Sequence, residues 1–388
     1  MLEGRRIYFV GIGGAGLSGY AFLARAWGAE VAGWDVRETP YLRTLDDVHV
    51  DLGDEPRPPD GWEVVVSTAH RTRARGTSRA EFLAELVSLR DAIVVAGAHG
   101  KTTTTAMIAF VLRELGRDPA WLIGGEVPQL GRNASAGSGW LVVEGDESDR
   151  TVERLGARIA VVTNIELDHH AEYASEAEVA ELLERWLEAA PASVRGWELE
   201  PAALELAVPG EHNRRNATTA LAALGLAGVE PAEAAPVLAR FEGVGRRFQV
   251  VGEAGGVTVV DDYAHHPSEI AATIAAARER GGARILVLFQ PHLYSRTRHL
   301  AAELGAALSA ADAVCVTDVY PAREEPVAGV DGLLVVRTLA PDVRAGWAPT
   351  VEDGVRVVAS WARPGDLALV VGAGDVERAG PLLLEVLA

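Results

Sequence analysis

The sequence predicts an α/β protein of three domains, each built on a mostly parallel sheet covered by helices. Three observations carry that expectation. Short apolar runs of strand length alternate with helix-length stretches along nearly all of the 388 residues, the order that βαβ units produce. Two glycine loops, Gly11-Ile12-Gly13-Gly14-Ala15-Gly16 and Gly97-Ala98-His99-Gly100-Lys101-Thr102, each join such a strand to such a helix. Acidic and polar clusters follow the strand-like runs, where open parallel sheets carry their ligand sites.

Residues 1–90 form the expected first domain. Ile7-Tyr8-Phe9-Val10 reads as a strand, the first glycine loop follows, a helix runs to Ala26, and a strand over 30–34 ends in Asp35. Gly11-x-Gly13-x-x-Gly16 with an acidic residue after the second strand is a Rossmann-like pattern. Its glycines let backbone approach a diphosphate, and the helix N-terminus attracts the charge. The pattern does not say which diphosphate. An NAD(P)-dependent oxidoreductase is one reading, and a glycine turn that merely packs helix on strand is another. A further strand, 64–66, leads to Ser67.

Residues 91–245 form the expected central domain, a P-loop ATPase-type parallel sheet. A strand over 93–96 enters the second glycine loop, and a helix is expected from Thr102 to Gly116. Strands follow at 141–143 and 159–163, with helices at 176–190, 216–226 and 231–240. Lys101 is the only lysine of the chain; the other 35 basic residues are arginine. A compact ammonium on a flexible stem enters a phosphate cradle where a planar guanidinium fork does not. Thr102 offers a hydroxyl to Mg²⁺. Glu144, Asp146, Glu147 and Asp149 supply the hard oxygens that this ion prefers. A histidine in Thr163-Asn164-Ile165-Glu166-Leu167-Asp168-His169-His170 is placed to complete a second metal site or to orient a carboxylate.

Residues 246–388 form the expected third domain, again Rossmann-like. Strands at 257–261, 284–289, 313–317 and 367–371 alternate with helices at 267–280, 297–310 and 352–361. Asp261-Asp262-Tyr263-Ala264-His265-His266-Pro267 and Gln290-Pro291-His292-Leu293-Tyr294-Ser295-Arg296-Thr297-Arg298 both follow strands. Arg296 and Arg298 are suited to clamp a carboxylate. The paired Asp-His residues raise zinc as an alternative, but no third ligand stands at a suitable spacing.

Composition narrows the function. The net charge of −19 excludes the basic stripe that nucleic-acid binding needs. It also means that an anionic substrate must be held by local donors. No apolar run reaches the length of a membrane span, and the N-terminus leads into a strand with no signal peptide; a cytoplasmic enzyme is expected. The single cysteine, Cys315, rules out an internal disulfide and a cysteine-rich metal site. Its setting, Ala313-Val314-Cys315-Val316-Thr317, predicts a buried core thiol.

Six of these segments, 11–19, 97–105, 144–149, 163–169, 261–267 and 290–298, together with Pro209-Gly210-Glu211-His212-Asn213-Arg214-Arg215-Asn216, Gly243-Val244-Gly245-Arg246-Arg247-Phe248, Val319-Tyr320-Pro321 and Gly372-Ala373-Gly374-Asp375, occur in the order in which the Mur ligase family carries its motifs. The chain resembles that family over nearly its whole length. The resemblance implies ATP-dependent formation of an amide between the carboxylate of UDP-N-acetylmuramate and L-alanine, through an acyl phosphate, in peptidoglycan precursor synthesis. It implies that Gly97, Ala98, His99, Gly100, Lys101, Thr102 and Thr103 hold the ATP phosphates. His212, Asn213 and Asn216 would meet the adenine, Asp262 the ribose and Arg247 the γ-phosphate. Thr102, Glu144 and His169 would hold Mg²⁺. Gly11, Gly13, Gly14, Ala15 and Gly16, with Asp35 and Ser67, would bind the UDP-sugar. Tyr263, His265 and Arg296 would surround the amino acid. Lys101, Glu144, His169, Arg247, His265 and Arg296 would carry the chemistry.

The implied partners are these small molecules, with no nucleic acid and no membrane, and the chain a monomer or homodimer. Several relatives bridge their metals with a carbamylated lysine; this chain has no second lysine for that. The pattern is shortened between His170 and Pro209, which implies that a small sheet of the central domain is missing. The stretch after Ser67 is abbreviated as well. His70, Leu293 and Ala98 stand where the family pattern has Ile, Arg and Thr. Addition of a preformed tripeptide to the same sugar nucleotide is the nearest alternative, and a ligase-like protein without turnover is the third.

Overall fold

The computed structural model describes residues 1–146, 150–167, 172–281, 284–322 and 324–388. Among them are three sheets. The first contains β1 (Arg6–Val10), β2 (Glu30–Asp35), β3 (His49–Leu52), β4 (Glu63–Val66) and β5 (Thr77–Ser78), with α1 (Ala15–Ala26) after β1 and α2 (Arg79–Ser88) after β5. The strand order is β3-β2-β1-β4-β5, and every pair is parallel. Ile7 to Val10 are buried on both faces of the sheet, so β1 reads as a continuous apolar run rather than an alternating one. Phe9 meets Phe82 of α2 edge to face at 5.4 Å. The opposite face gathers Tyr8, Val10, Ala32, Trp34 and Val66. A capping box between Ser78 and Glu81 starts α2, satisfying amides that the first turn leaves open.

The central sheet contains β6 (Ala92–Ala96), β7 (Ala120–Leu122), β8 (Ala134–Ala136), β9 (Leu141–Glu144), β10 (Ile159–Val162) and β11 (Ala192–Arg195). Its helices are α3 (Lys101–Glu114), α4 (Glu176–Ala189), α5 (Glu211–Leu226) and α6 (Pro231–Leu238). The order is β11-β10-β6-β9-β7-β8, parallel except for β8 against β7. α3 is buried continuously from Thr103 to Leu112, which explains its lack of a polar stripe. Among the described residues the shortened stretch before Pro209 adds one strand, β11, to this sheet and forms no sheet of its own.

The first two sheets belong to one compact unit. Asn133 donates from Nδ2 to the Ala15 carbonyl at 3.1 Å, and Arg90 donates to the Gly137 carbonyl at 2.5 Å. The Arg132 guanidinium lies 5.5 Å from the centre of the Phe22 ring.

A second unit is built on residues 243–388. Its elements are β12 (Gln249–Ala254), β13 (Val257–Asp262), α7 (Pro267–Glu279), β14 (Ile285–Phe289), α8 (Tyr294–Leu308), β15 (Ala313–Thr317), α9 (Gly332–Val336), β16 (Arg344–Ala348), α10 (Val351–Trp361), β17 (Leu367–Val371) and α11 (Ala379–Leu387). The order is β12-β13-β17-β14-β15-β16, with only β12 antiparallel. Alternate residues of β17 enter opposite cores, Leu369 and Val371 on one face and Ala368 and Val370 on the other. Because β17 is inserted between β13 and β14, the loops after these three strands open at one edge of the sheet, the position where such folds bind ligands.

Most expected elements form within a few residues of their expected bounds. α5 begins at Glu211 rather than 216 and α8 at Tyr294 rather than 297. The expected buried thiol is present: Cys315 on β15 has no exposed surface, and burial pushes the thiol up to about 12. A thiol reagent should therefore leave the native protein unmodified and take up one equivalent on denaturation. Ready reaction of the folded protein would contradict this packing.

Candidate active site

The second glycine loop is a tight turn between the end of β6 and the start of α3. Gly97 has φ +123° and Gly100 has φ +78°, conformations that cost a side-chain-bearing residue dearly. Space forbids a side chain as well. A Cβ on Gly97 would stand 2.3 Å from Thr163 Oγ1, and one on Gly100 would stand 2.3 Å from Asn216 Oδ1. Lys101 Nζ curls back over this turn, donating to the carbonyls of Gly97 at 2.5 Å and Ala98 at 3.1 Å. Thr102 Oγ1 donates to Glu144 Oε2 at 3.0 Å, and the other oxygen, Oε1, accepts the Gly124 amide at 2.5 Å. Thr103, the next residue of α3, is buried.

The loop is fastened to the segment that follows β10. Thr163 Oγ1 donates to the His99 carbonyl at 2.6 Å. The His99 amide donates to Asn164 Oδ1 at 3.1 Å, and Asn164 Nδ2 lies 2.8 Å from the His99 carbonyl and 2.9 Å from His99 Nδ1. His99 Nε2 lies 3.0 Å from Glu166 Oε1. Lys101, Thr102, Glu144, His99 and Asn216 are thus brought together in one unit. Of the other residues expected here, Asp146 lies 3.8 Å from Arg79. Glu147, Asp149, Asp168, His169 and His170 lie outside the described residues. His212 and Asn213 stand in the first turn of α5, where Asn213 Nδ2 donates to the Pro209 carbonyl at 2.6 Å.

In the first sheet, the Gly11–Gly16 turn precedes α1 as expected, but Asp35 faces inward. Its Oδ2 accepts the Gly13 amide at 2.8 Å and its Oδ1 accepts the Val36 amide at 2.7 Å. The Gly13 carbonyl accepts from Thr39 Oγ1 at 2.7 Å. The carboxylate therefore braces the glycine turn. Ser67 Oγ is buried without a hydrogen-bond partner, against the Cα of Gly11. His70 meets Trp34 edge to face at 5.2 Å.

In the third sheet, Asp262 takes two backbone amides, Phe248 at Oδ2 at 2.7 Å and Ala264 at Oδ1 at 2.8 Å. Burial pushes its carboxyl up to about 6, against the pull of Arg247 and of the two amides. Arg246 and Phe248, both at positive φ, flank Arg247, so the turn carrying that arginine is strained. The Tyr263 ring lies 5.1 Å from the Arg246 guanidinium and 5.0 Å from that of Arg247. Arg247 Nη1 reaches Glu269 Oε1 at 3.3 Å. His265 Nδ1 lies 3.0 Å from the Tyr263 carbonyl and 3.4 Å from Glu269 Oε2. Both are acceptors, so Nδ1 carries the hydrogen and the lone pair resides on Nε2. Arg296, 6% exposed, donates to His292 Nδ1 at 3.1 Å, and His292 stacks on Tyr320 at 5.8 Å.

Sequence reasoning assigned no role to Glu269, His292, Tyr320, Asn164 or Glu166. Glu269 was detectable: Pro267 opens α7 and Glu269 stands at the third position of its capping box, a local signature. The other four act through contacts distant in sequence or on neighbouring turns.

The profile of the Mur ligase middle domain matches residues 95–194, and that of the Mur ligase, glutamate ligase domain matches residues 246–374. The UDP-N-acetylmuramate–L-alanine ligase of Streptomyces coelicolor is 41% identical, over 98% of this chain and 97% of its own. That alignment spans 451 positions, more than the 388 residues here, so the relative contains insertions that this chain lacks. The crystal structure of UDP-N-acetylmuramate-alanine ligase from Thermotoga maritima superposes with a TM-score of 0.79 at 26% identity, covering 98% of each chain. A murein peptide ligase from Psychrobacter arcticus shares the fold, with a TM-score of 0.67 at 23% identity over 99% of each chain.

The buried carboxyl of Asp262 has a measurable consequence. Its folded value of about 6 lies above the ordinary 3.8, so the folded state keeps a proton that the unfolded chain has already released. The cost of ionising it in place grows as pH rises from about 4 to 6 and is constant above. It amounts to about 3 kcal/mol, with a carboxyl of ordinary pKa as reference. Urea unfolding across that range should show this loss in the wild-type chain and not in Asp262→Asn. Parallel pH profiles for the two proteins would contradict it.

Proposed function

This chain belongs to the Mur ligase family, and from that membership we infer that it is an ATP-dependent ligase joining the carboxylate of UDP-N-acetylmuramate to L-alanine, a step of peptidoglycan precursor synthesis. One observation supports the reading above the others. The only lysine of the chain is curled over the phosphate-loop turn, beside a threonine hydroxyl 3.0 Å from a carboxylate.

The chemistry needs a better acyl donor than a carboxylate. A carboxylate oxygen attacks the γ-phosphorus of ATP, the bond from that phosphorus to the β–γ bridging oxygen breaks, and ADP leaves. The alanine amine then attacks the acyl carbon, the acyl C–O bond breaks, and phosphate leaves. Positioning and charge neutralisation carry such transfers. We assign Lys101 to the β- and γ-phosphates, in exchange for the two carbonyls it now holds, and Arg247 to the γ-phosphate. The amides of 97–103 would contact the phosphates, and His212, Asn213 and Asn216 the adenine. Gly11, Gly13, Gly14, Ala15, Gly16 and Ser67 would hold the UDP-sugar on the turn that Asp35 braces.

We place the amino acid beside Tyr263, His265 and Arg296. Arg296 would receive its carboxylate, and Nε2 of His265 would take the proton that the amine gives up. Thr102 and Glu144 fit Mg²⁺, because they present hard oxygens within one coordination sphere. His169 is assigned with them from the family pattern. The ion, when bound, neutralises phosphate charge. No helix among the described residues is long and apolar enough to cross a membrane, and we assign the enzyme to the cytoplasm.

Phosphate release should require ATP, UDP-N-acetylmuramate and alanine together. Turnover with a tripeptide and not with alanine would overturn the assignment. Lys101→Arg should lose at least about a hundredfold in kcat, the scale of one misplaced charge in phosphoryl transfer, with its thermal midpoint unchanged. Substantial activity in that variant would show that the ammonium has another role.

A further inference from the structure

The contacts around His99 go further than those of a loop residue packing where it can. Four hydrogen-bonding groups from 163–166 converge on it, and their donor and acceptor characters are mutually determined. The His99 amide can only donate, so the atom of Asn164 at 3.1 Å from it is the carbonyl oxygen Oδ1. Asn164 Nδ2 then faces the His99 carbonyl at 2.8 Å and ring Nδ1 at 2.9 Å. Nδ2 donates and cannot accept, so Nδ1 of the ring must accept. The hydrogen of the imidazole is thereby placed on Nε2, which points at Glu166 Oε1 at 3.0 Å. Asn164 sets the tautomer and Glu166 sets the ring orientation, while Thr163 holds the His99 carbonyl at 2.6 Å. Two of these residues also press on Gly97, whose Cβ would meet both Thr163 and Asn164.

His99 stands between the two carbonyls that now hold Lys101 and the helix N-terminus that would receive phosphate. Its backbone cannot shift without breaking this set of bonds. Resting on the nucleotide reading above, we propose that Asn164 and Glu166 are positioning residues for ATP: acting through His99, they hold the phosphate loop in the conformation that binds the triphosphate. Neither needs to touch the nucleotide. A carboxylate or carboxamide oxygen at position 166 suffices, because only an acceptor for Nε2–H is required.

The test is direct measurement of ATP binding by isothermal titration on the full-length chain, paired with KM values for all three substrates. Glu166→Ala should raise the ATP Kd roughly tenfold or more, the loss expected of a hydrogen bond to a charged group. The KM values for UDP-N-acetylmuramate and alanine, and the thermal midpoint without nucleotide, should stay at wild-type values. Glu166→Gln should restore ATP binding to within about twofold, since its amide oxygen still accepts.

Asn164→Asp, of the same size, should weaken ATP binding as Glu166→Ala does, because a carboxylate cannot donate to Nδ1. Wild-type ATP affinity in Glu166→Ala would overturn the proposal. So would a Glu166→Gln variant as weak as the alanine variant, because the charge rather than the hydrogen bond would then matter. Equal losses for all three substrates would assign these residues a merely structural role and overturn it too. Absence of ATP binding by the wild-type chain would instead remove the nucleotide reading, and this inference with it.

Discussion

The nucleotide end of this molecule depends on one steric constraint, a backbone turn between β6 and α3 too tight for any side chain at Gly97 or Gly100. Thr163 and Asn216 occupy the space where those side chains would be. Within that turn the Lys101 stem reaches back to bond the carbonyls of Gly97 and Ala98. The same turn aims the first amides of a 14-residue helix, α3, at the position a phosphate would take. An arginine could not follow this path, since its planar fork needs a wider approach.

The acidic balance of the chain makes such local devices necessary. With a net charge of −19, the overall field repels anions, so each anionic group must be met by donors placed by hand. The third sheet uses the same economy. Asp262, buried and bonded to the Phe248 and Ala264 amides, ties the Arg247 turn to the turn that carries Tyr263 and His265. Glu269 then touches both Arg247 and His265. In the first sheet Asp35 does the corresponding work for the Gly13 turn. In each case a carboxylate spends acceptor capacity on backbone and steadies a turn to which we assign a ligand.

Much of this was legible from residue order. Strands buried on both faces announce themselves as apolar runs, and a glycine loop between strand and helix has few other uses. β7 and β8, of three residues each, and β5, of two, are too short to leave a periodic signal. β12 and β16 lie at sheet edges, where Val250 and Trp347 remain exposed and a single partner strand sets the pairing. α2 was missed although its Ser78–Glu81 capping box was in view. What sequence could not supply is which donors a buried carboxylate serves. Asp35 and Asp262 sit where ligand-binding acids belong, and both also accept backbone amides. Nor could spacing reveal that Asn164 and Glu166 close on His99, 65 and 67 residues away.

That the chain has a single lysine makes the central claim unusually open to measurement. An amine-reactive ATP analogue offered to the native protein has two primary amines to find, the N-terminus and Lys101. Peptide mapping by mass spectrometry should locate one equivalent of label on Lys101, suppressed by excess Mg²⁺-ATP, with labelling of the N-terminus unaffected by nucleotide. An unmodified Lys101, or one labelled equally with and without ATP, would contradict the account of this loop as the triphosphate site.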